Sequence, residues 1–160
     1  MNLRLAISRI NGVIIQPGET FSLWKMVGRP TKSKGYLEGM TLSNGQVTKG
    51  VGGGLCQLGN LIYWMALHSP LEVTKRWRHS YDVFPDVNRK IPFGSGATLS
   101  YNYIDLQLKN NSQMPMQINL WLSDTHLEGS ICAGSLIPNT YEVFERNHKF
   151  ELQWWGGYTR

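Results

Sequence analysis

A chain of 160 residues with 41% hydrophobic side chains can bury the core of one domain and is too apolar to remain unfolded. Its net charge of +5 comes from 16 basic and 11 acidic residues without the dense basic and aromatic interleaving of a nucleic-acid binder. No apolar run approaches the roughly 20 residues that span a bilayer, and two cysteines far apart in sequence make neither a disulfide framework nor a Cys-x-x-Cys zinc site.

In chain order, Met1–Ile10 reads as an amphipathic helix with Leu3, Ile7 and Ile10 on one side. It lacks the continuous apolar core of an export signal, so the chain taken by itself reads as cytoplasmic. Asn11-Gly12 stops this helix. Val13–Ile15 is a short strand closed by the turn Gln16-Pro17-Gly18-Glu19, and Thr20 or Ser22 caps a short helix. A basic loop around Pro30 follows. Residues 40–48 then form a hairpin with Asn44-Gly45 at its turn.

The hairpin leads into Gly50-Val51-Gly52-Gly53-Gly54-Leu55-Cys56-Gln57. Behind it, Leu58, Leu61, Ile62 and Met65 recur at helical spacing until Pro70, which predicts a buried central helix. Beyond this helix, residues 71–77, 97–101, 104–108, 116–122, 126–132 and 141–145 have strand character, and 85–96 is a loop. The expected fold is α+β: N-terminal helices and the central helix packed on one antiparallel sheet built from 71–77, 97–108, 116–122 and 126–132, as a single domain over 1–160.

The glycine segment fails the phosphate-binding patterns. A G-x-G-x-x-G frame from Gly50 ends on Leu55 and one from Gly52 ends on Gln57, and Gly-Lys-Ser/Thr is missing. His68, His79, His126 and His148 have no metal-ligand spacing, so neither a metal nor another cofactor is expected.

What survives is Cys56 at the start of a helix, where the dipole and unpaired N–H groups favour a thiolate. Equally, a small residue there lets the glycine segment pack against its own helix. As a nucleophile Cys56 needs a base and a group to orient that base. His79 is the candidate base and Asp105 the candidate orienting group, with Asp82 and Asp86 as competitors. Gln57 is a candidate oxyanion-hole or positioning amide. Gly52, Gly53, Gly54, Arg78 and Ser80 are candidate substrate-binding residues, Arg78 as a bidentate carboxylate clamp. A helix-borne Cys followed by His and Asp on successive strands is the order found in papain-like and NlpC-like peptidases, at longer spacings.

Several segments together resemble the VanW family: Pro17-Gly18-Glu19-Thr20-Phe21-Ser22, Gly35-Tyr36 with its hairpin, Gly52-Gly53-Gly54-Leu55-Cys56-Gln57, Arg78-His79-Ser80, Ala97–Tyr101 and Asp105–Asn111. The resemblance covers roughly residues 2–157. It implies a bacterial cell-wall setting, association with the envelope, a link to glycopeptide (vancomycin) resistance, and relatives with more sequence before Met1 and after Arg160. The implied partner is a peptidoglycan precursor or stem peptide. Two readings follow. One is a cysteine-dependent amide hydrolase or transferase acting on that peptide. The other is a noncatalytic cell-wall or ligand-binding module with a structural glycine loop.

Overall fold

The computed structural model describes residues 1–43, 46–78, 95–144, 151–152 and 158–159. Helix α1 (Asn2–Ile10) buries Ala6, Ile7 and Ile10, the stripe its periodicity gives it. It ends at Asn11-Gly12, where the Gly12 N–H donates to Ile118 O at 2.8 Å and Asn11 Oδ1 accepts from the Leu120 N–H at 2.9 Å. These two bonds fix the helix to the strand it covers.

The strands form two three-stranded antiparallel sheets. In the first, β7 (Met116–Leu122) lies between β1 (Val13–Ile15) and β8 (Leu127–Ala133). Its inward residues Met116, Ile118 and Leu120 are buried in strict alternation. In the second, β6 (Gln107–Asn110) lies between β2 (Thr20–Ser22) and β5 (Leu71–Lys75), with Phe21, Leu71 and Leu108 buried. Helix α2 (Leu23–Val27) follows β2 directly, capped by the Ser22 hydroxyl, which accepts from the Lys25 N–H. Among the described residues, strands β3 (Glu38–Ser43) and β4 (Gln46–Val51) pair only with each other, with Ser43 opposite Gln46. The turn expected at Asn44-Gly45 lies outside the described residues. Two short strands, β9 (Glu151–Leu152) and β10 (Tyr158–Thr159), also pair.

Helix α3 (Cys56–Leu67) packs on β8 and on β5, one strand from each sheet, and so joins the two. Leu58 and Ile62 are fully buried, Ala66 nearly so, and Leu61 and Met65 pack on the same cluster. The buried central helix, the α+β class and the antiparallel pairing all agree with the sequence.

The single sheet does not. Residues 97–101 were expected to be a strand continuing into 104–108, but their polar groups pair elsewhere. The Ala97 N–H donates to Asn60 Oδ1 on α3 at 2.7 Å, and the Thr98 N–H donates to Trp77 O at 2.7 Å. The chain then turns back at once, with Ser100 bridging Ile104 across a turn in which Asn102 has φ +67. That left-handed conformation, which asparagine tolerates better than most residues, keeps 97–108 from being one strand. The strand expected over 71–77 ends at Lys75 after a register shift, and 141–144 is irregular, with Tyr141 O held by His68 Nδ1 at 3.2 Å.

Candidate functional site

The glycine segment is a crossing between the β3–β4 hairpin and α3. Gly52 (φ +82) and Gly54 (φ +88) need left-handed backbone. Gly53 needs space: a Cβ on it would lie 2.1 Å from the carbonyl carbon of Gly39. The N–H groups are used internally. Gly52 donates to Leu37 O, Gly53 to Gly50 O and Gly54 to Met40 O, at 2.9–3.1 Å. Buried Asn2 completes the crossing by donating to Gly53 O and to Leu37 O while its Oδ1 accepts from the Leu37 N–H. Gly52, Gly53 and Gly54, the expected substrate-binding glycines, thus spend their N–H groups inside the fold.

Cys56 is the first residue of α3 and is partly buried. Its Sγ lies 3.9 Å from Leu99 O. Burial pushes the thiol above its ordinary value. Backbone contacts with Leu99 and with its own amide pull the other way and do not overcome it. This direction is opposite to the one expected from the helix dipole alone. The dipole argument counts charge and omits desolvation, and here desolvation is the larger effect.

The stems of the segment that carries His79 pair with each other, and the second of them passes this thiol at Leu99. Arg76 donates from Nε and Nη2 to Gly96 O at 2.9 and 2.7 Å and stacks its guanidinium 4.4 Å from the centroid of Tyr63. Thr98 pairs with Trp77, and Leu99 faces Cys56. Gly59 permits the contact, since a Cβ there would lie 3.0 Å from Leu99 Cδ1. His79, Ser80, Asp82 and Asp86 lie outside the described residues. Arg78 is exposed at the end of the described stem, and Gln57 is exposed on the first turn of α3. The imidazoles that are described stand elsewhere. His68 is roughly 18 Å along α3 at 1.5 Å per residue, and His126 bonds Thr125 on the β7–β8 turn.

Asp105, expected to orient His79, has other partners. Its Oδ2 accepts from Ser22 Oγ at 2.6 Å and Gln107 Nε2 at 3.1 Å, and its Oδ1 from the Trp24 N–H at 3.1 Å. It ties α2 to the approach into β6. Among the described residues no three His, Cys, Asp or Glu side chains come together as a metal site would require. Sequence reasoning missed Asn2, which ties the glycine crossing, and Gly59, Asn60 and Arg76, which hold residues 96–99 against α3 and the preceding stem. Gly59 and Asn60 were visible as small and polar residues within an apolar helix, which signals close backbone approach.

Among the described residues no helix is long and apolar enough to cross a membrane. The family model described as VanW like protein matches residues 1–132. The vancomycin B-type resistance protein VanW of Enterococcus faecalis (strain ATCC 700802 / V583) is 38% identical over 142 residues, 89% of this chain and 52% of that protein. The uncharacterized protein YoaR of Bacillus subtilis (strain 168) is 30% identical over 117 residues, 73% of this chain and 37% of that protein. The chain thus spans about half the length of the first relative and less of the second. No solved structure matches, so the papain-like and NlpC-like likeness has no structural neighbour behind it. The glycine crossing, Cys56 and the strands around them fall inside the matched residues, and the chain belongs to the VanW family.

Proposed function

We propose that this chain is a noncatalytic ligand-binding module of the bacterial cell wall, working in the setting of glycopeptide resistance for which its Enterococcus relative is named. Its ligand class is the peptidoglycan precursor or stem peptide. The observation that carries the reading is the internal pairing of the glycine segment, whose amides are held by Leu37, Met40 and Gly50 and whose Gly53 carbonyl is held by Asn2. Such a loop fixes a fold, and the N–H groups of Gly52, Gly53 and Gly54 are not available to hold an oxyanion. The raised thiol of Cys56 and the occupied carboxylate of Asp105 support the same reading. The test is sedimentation with purified peptidoglycan: the full chain is expected to co-pellet, and the Cys56→Ser variant to co-pellet equally.

A second reading rests on one specific observation: Leu99, on the stem that follows residues 79–94, lies against Cys56 Sγ, and that stem pairs with the one that precedes them. An imidazolium from His79 beside Sγ would stabilise the thiolate and supply a general base for amide hydrolysis or transfer on a peptidoglycan peptide. The pH profile of alkylation separates the two. For the module, Cys56 should react with a midpoint above the free-cysteine value of about 8.5 and more slowly than exposed Cys132 at neutral pH. His79→Ala should leave that midpoint in place. A midpoint below about 8.5 that rises in His79→Ala, with turnover of a stem peptide lost in Cys56→Ser, would establish the enzyme instead.

A further inference from the structure

Asp105 also lines an open groove of about 310 Å³, at the small end of ligand sites. Its walls carry three rings, Trp24, Tyr101 and Tyr103, and two cations, Lys25 and Lys75. Two of the rings are held in place. Trp24 Nε1 donates to Ile104 O at 2.8 Å, and Trp24 meets Tyr101 edge to face with centroids 5.6 Å apart. The tight turn through Asn102 brings Tyr101 and Tyr103 to the same rim, and Tyr103 is left 83% exposed. A tyrosine standing that far into water contributes little to the core.

The groove's charges are Lys25, Lys75 and Asp105. Both oxygens of Asp105 already accept hydrogen bonds from Ser22, Trp24 and Gln107, so this carboxylate is fixed in the wall and one positive charge remains in excess. Among the described residues neither lysine is within ion-pair distance of a carboxylate, the recorded pair being Lys32 with Glu38. Amides of Asn102 and Gln107, the latter donating to Asp105, also line the groove. Aromatic faces suit the C–H faces of a pyranose ring, planar amides suit hydroxyls and acetamido groups, and ammonium groups suit a carboxylate.

We infer that this groove, which no part of the cysteine region enters, is a binding subsite for an acidic saccharide, an N-acetylated amino sugar carrying a carboxylate. It rests on the reading of the chain as a wall-binding module and supplies that module's glycan contact. Ligand-observed NMR on the full chain with N-acetylmuramic acid and N-acetylglucosamine tests it, since the two sugars differ only in the 3-O-lactyl group that carries the carboxylate. The acid should bind about tenfold more tightly. Lys25→Gln with Lys75→Gln should erase that preference, and Tyr103→Ala, a change at an exposed ring, should weaken both sugars. Equal binding of the two sugars, or displacement by inorganic phosphate at matched concentration, overturns the assignment. Peptidoglycan sedimentation keeps the two proposals apart. Co-pelleting that the groove variants leave unchanged overturns the groove and spares the module, whereas sugar binding without co-pelleting overturns the module and spares the groove.

Discussion

Gly53→Ala is expected to cost about 3 kcal/mol or more, a large share of the roughly 5–15 kcal/mol that holds a domain of this size. The added methyl would stand 2.1 Å from Gly39 C, 2.3 Å from Gly39 O and 2.5 Å from Gly39 Cα. All three are backbone atoms within a paired strand, so no side-chain rotation relieves the overlap. If the crossing separates, Asn2 loses its bond to Gly53 O, and the N–H of Gly54 moves away from Met40 O. Gly54→Ala is the control. Its Cβ would meet nothing within 4 Å, and only φ +88 opposes it, a cost of about 1–2 kcal/mol for a left-handed alanine. Urea unfolding of both variants measures the difference. A Gly53→Ala protein within about 1 kcal/mol of the parent would show that the crossing is not packed as described.

The same glycine illustrates what the sequence could convey. Four glycines in five positions announced an unusual backbone, and the apolar spacing behind them announced a buried helix, because both signals are local. Whether the unusual backbone meets a ligand or another strand depends on Gly39, fourteen positions earlier and without any side chain to betray the contact. Cys56 behaved the same way. Its place at the start of α3 was legible from Pro70 back to the glycines, whereas the sign of its pKa shift depends on Leu99 folding over it. The misread strand over 97–101 is a further instance. Thr98, Leu99 and Tyr101 suit a strand by propensity, but Asn60 and Trp77 compete for its amides and Asn102 turns it away. Asp105 bonds Gln107 two positions on, but its other partners are Ser22 and Trp24 at the start of α2, which no spacing rule connects to it.

The other large effect is expected at Asn110, which is fully buried between the two sheets. Its Nδ2 donates to Ile15 O at the end of β1 and to Met114 O at the approach to β7, both at 2.8 Å. Its Oδ1 accepts from the N–H and the hydroxyl of Ser112, at 3.0 and 2.6 Å. Asn110→Asp keeps the shape and replaces the two donors with an acceptor facing two carbonyl oxygens. Ionised, the carboxylate would be buried without a cation among those partners, for a loss of about 3–5 kcal/mol. The fold therefore favours the protonated acid, whose pKa in the folded chain rises above the unfolded value of about 3.9. The sign follows. Below that value both states are protonated and the deficit is smallest. As pH rises toward the folded pKa the unfolded chain ionises first, and the deficit grows by about 1.4 kcal/mol per pH unit until the folded carboxyl also ionises. Asn110→Leu removes the same donors without adding a charge, so its deficit, about 1–3 kcal/mol for each stranded carbonyl, should not change with pH beyond the parent's own trend. Urea midpoints of the parent and both variants at about pH 4 and about pH 7 test this. An Asn110→Asp deficit that is the same at both values would mean that the side chain does not hold the two sheets through its amide donors.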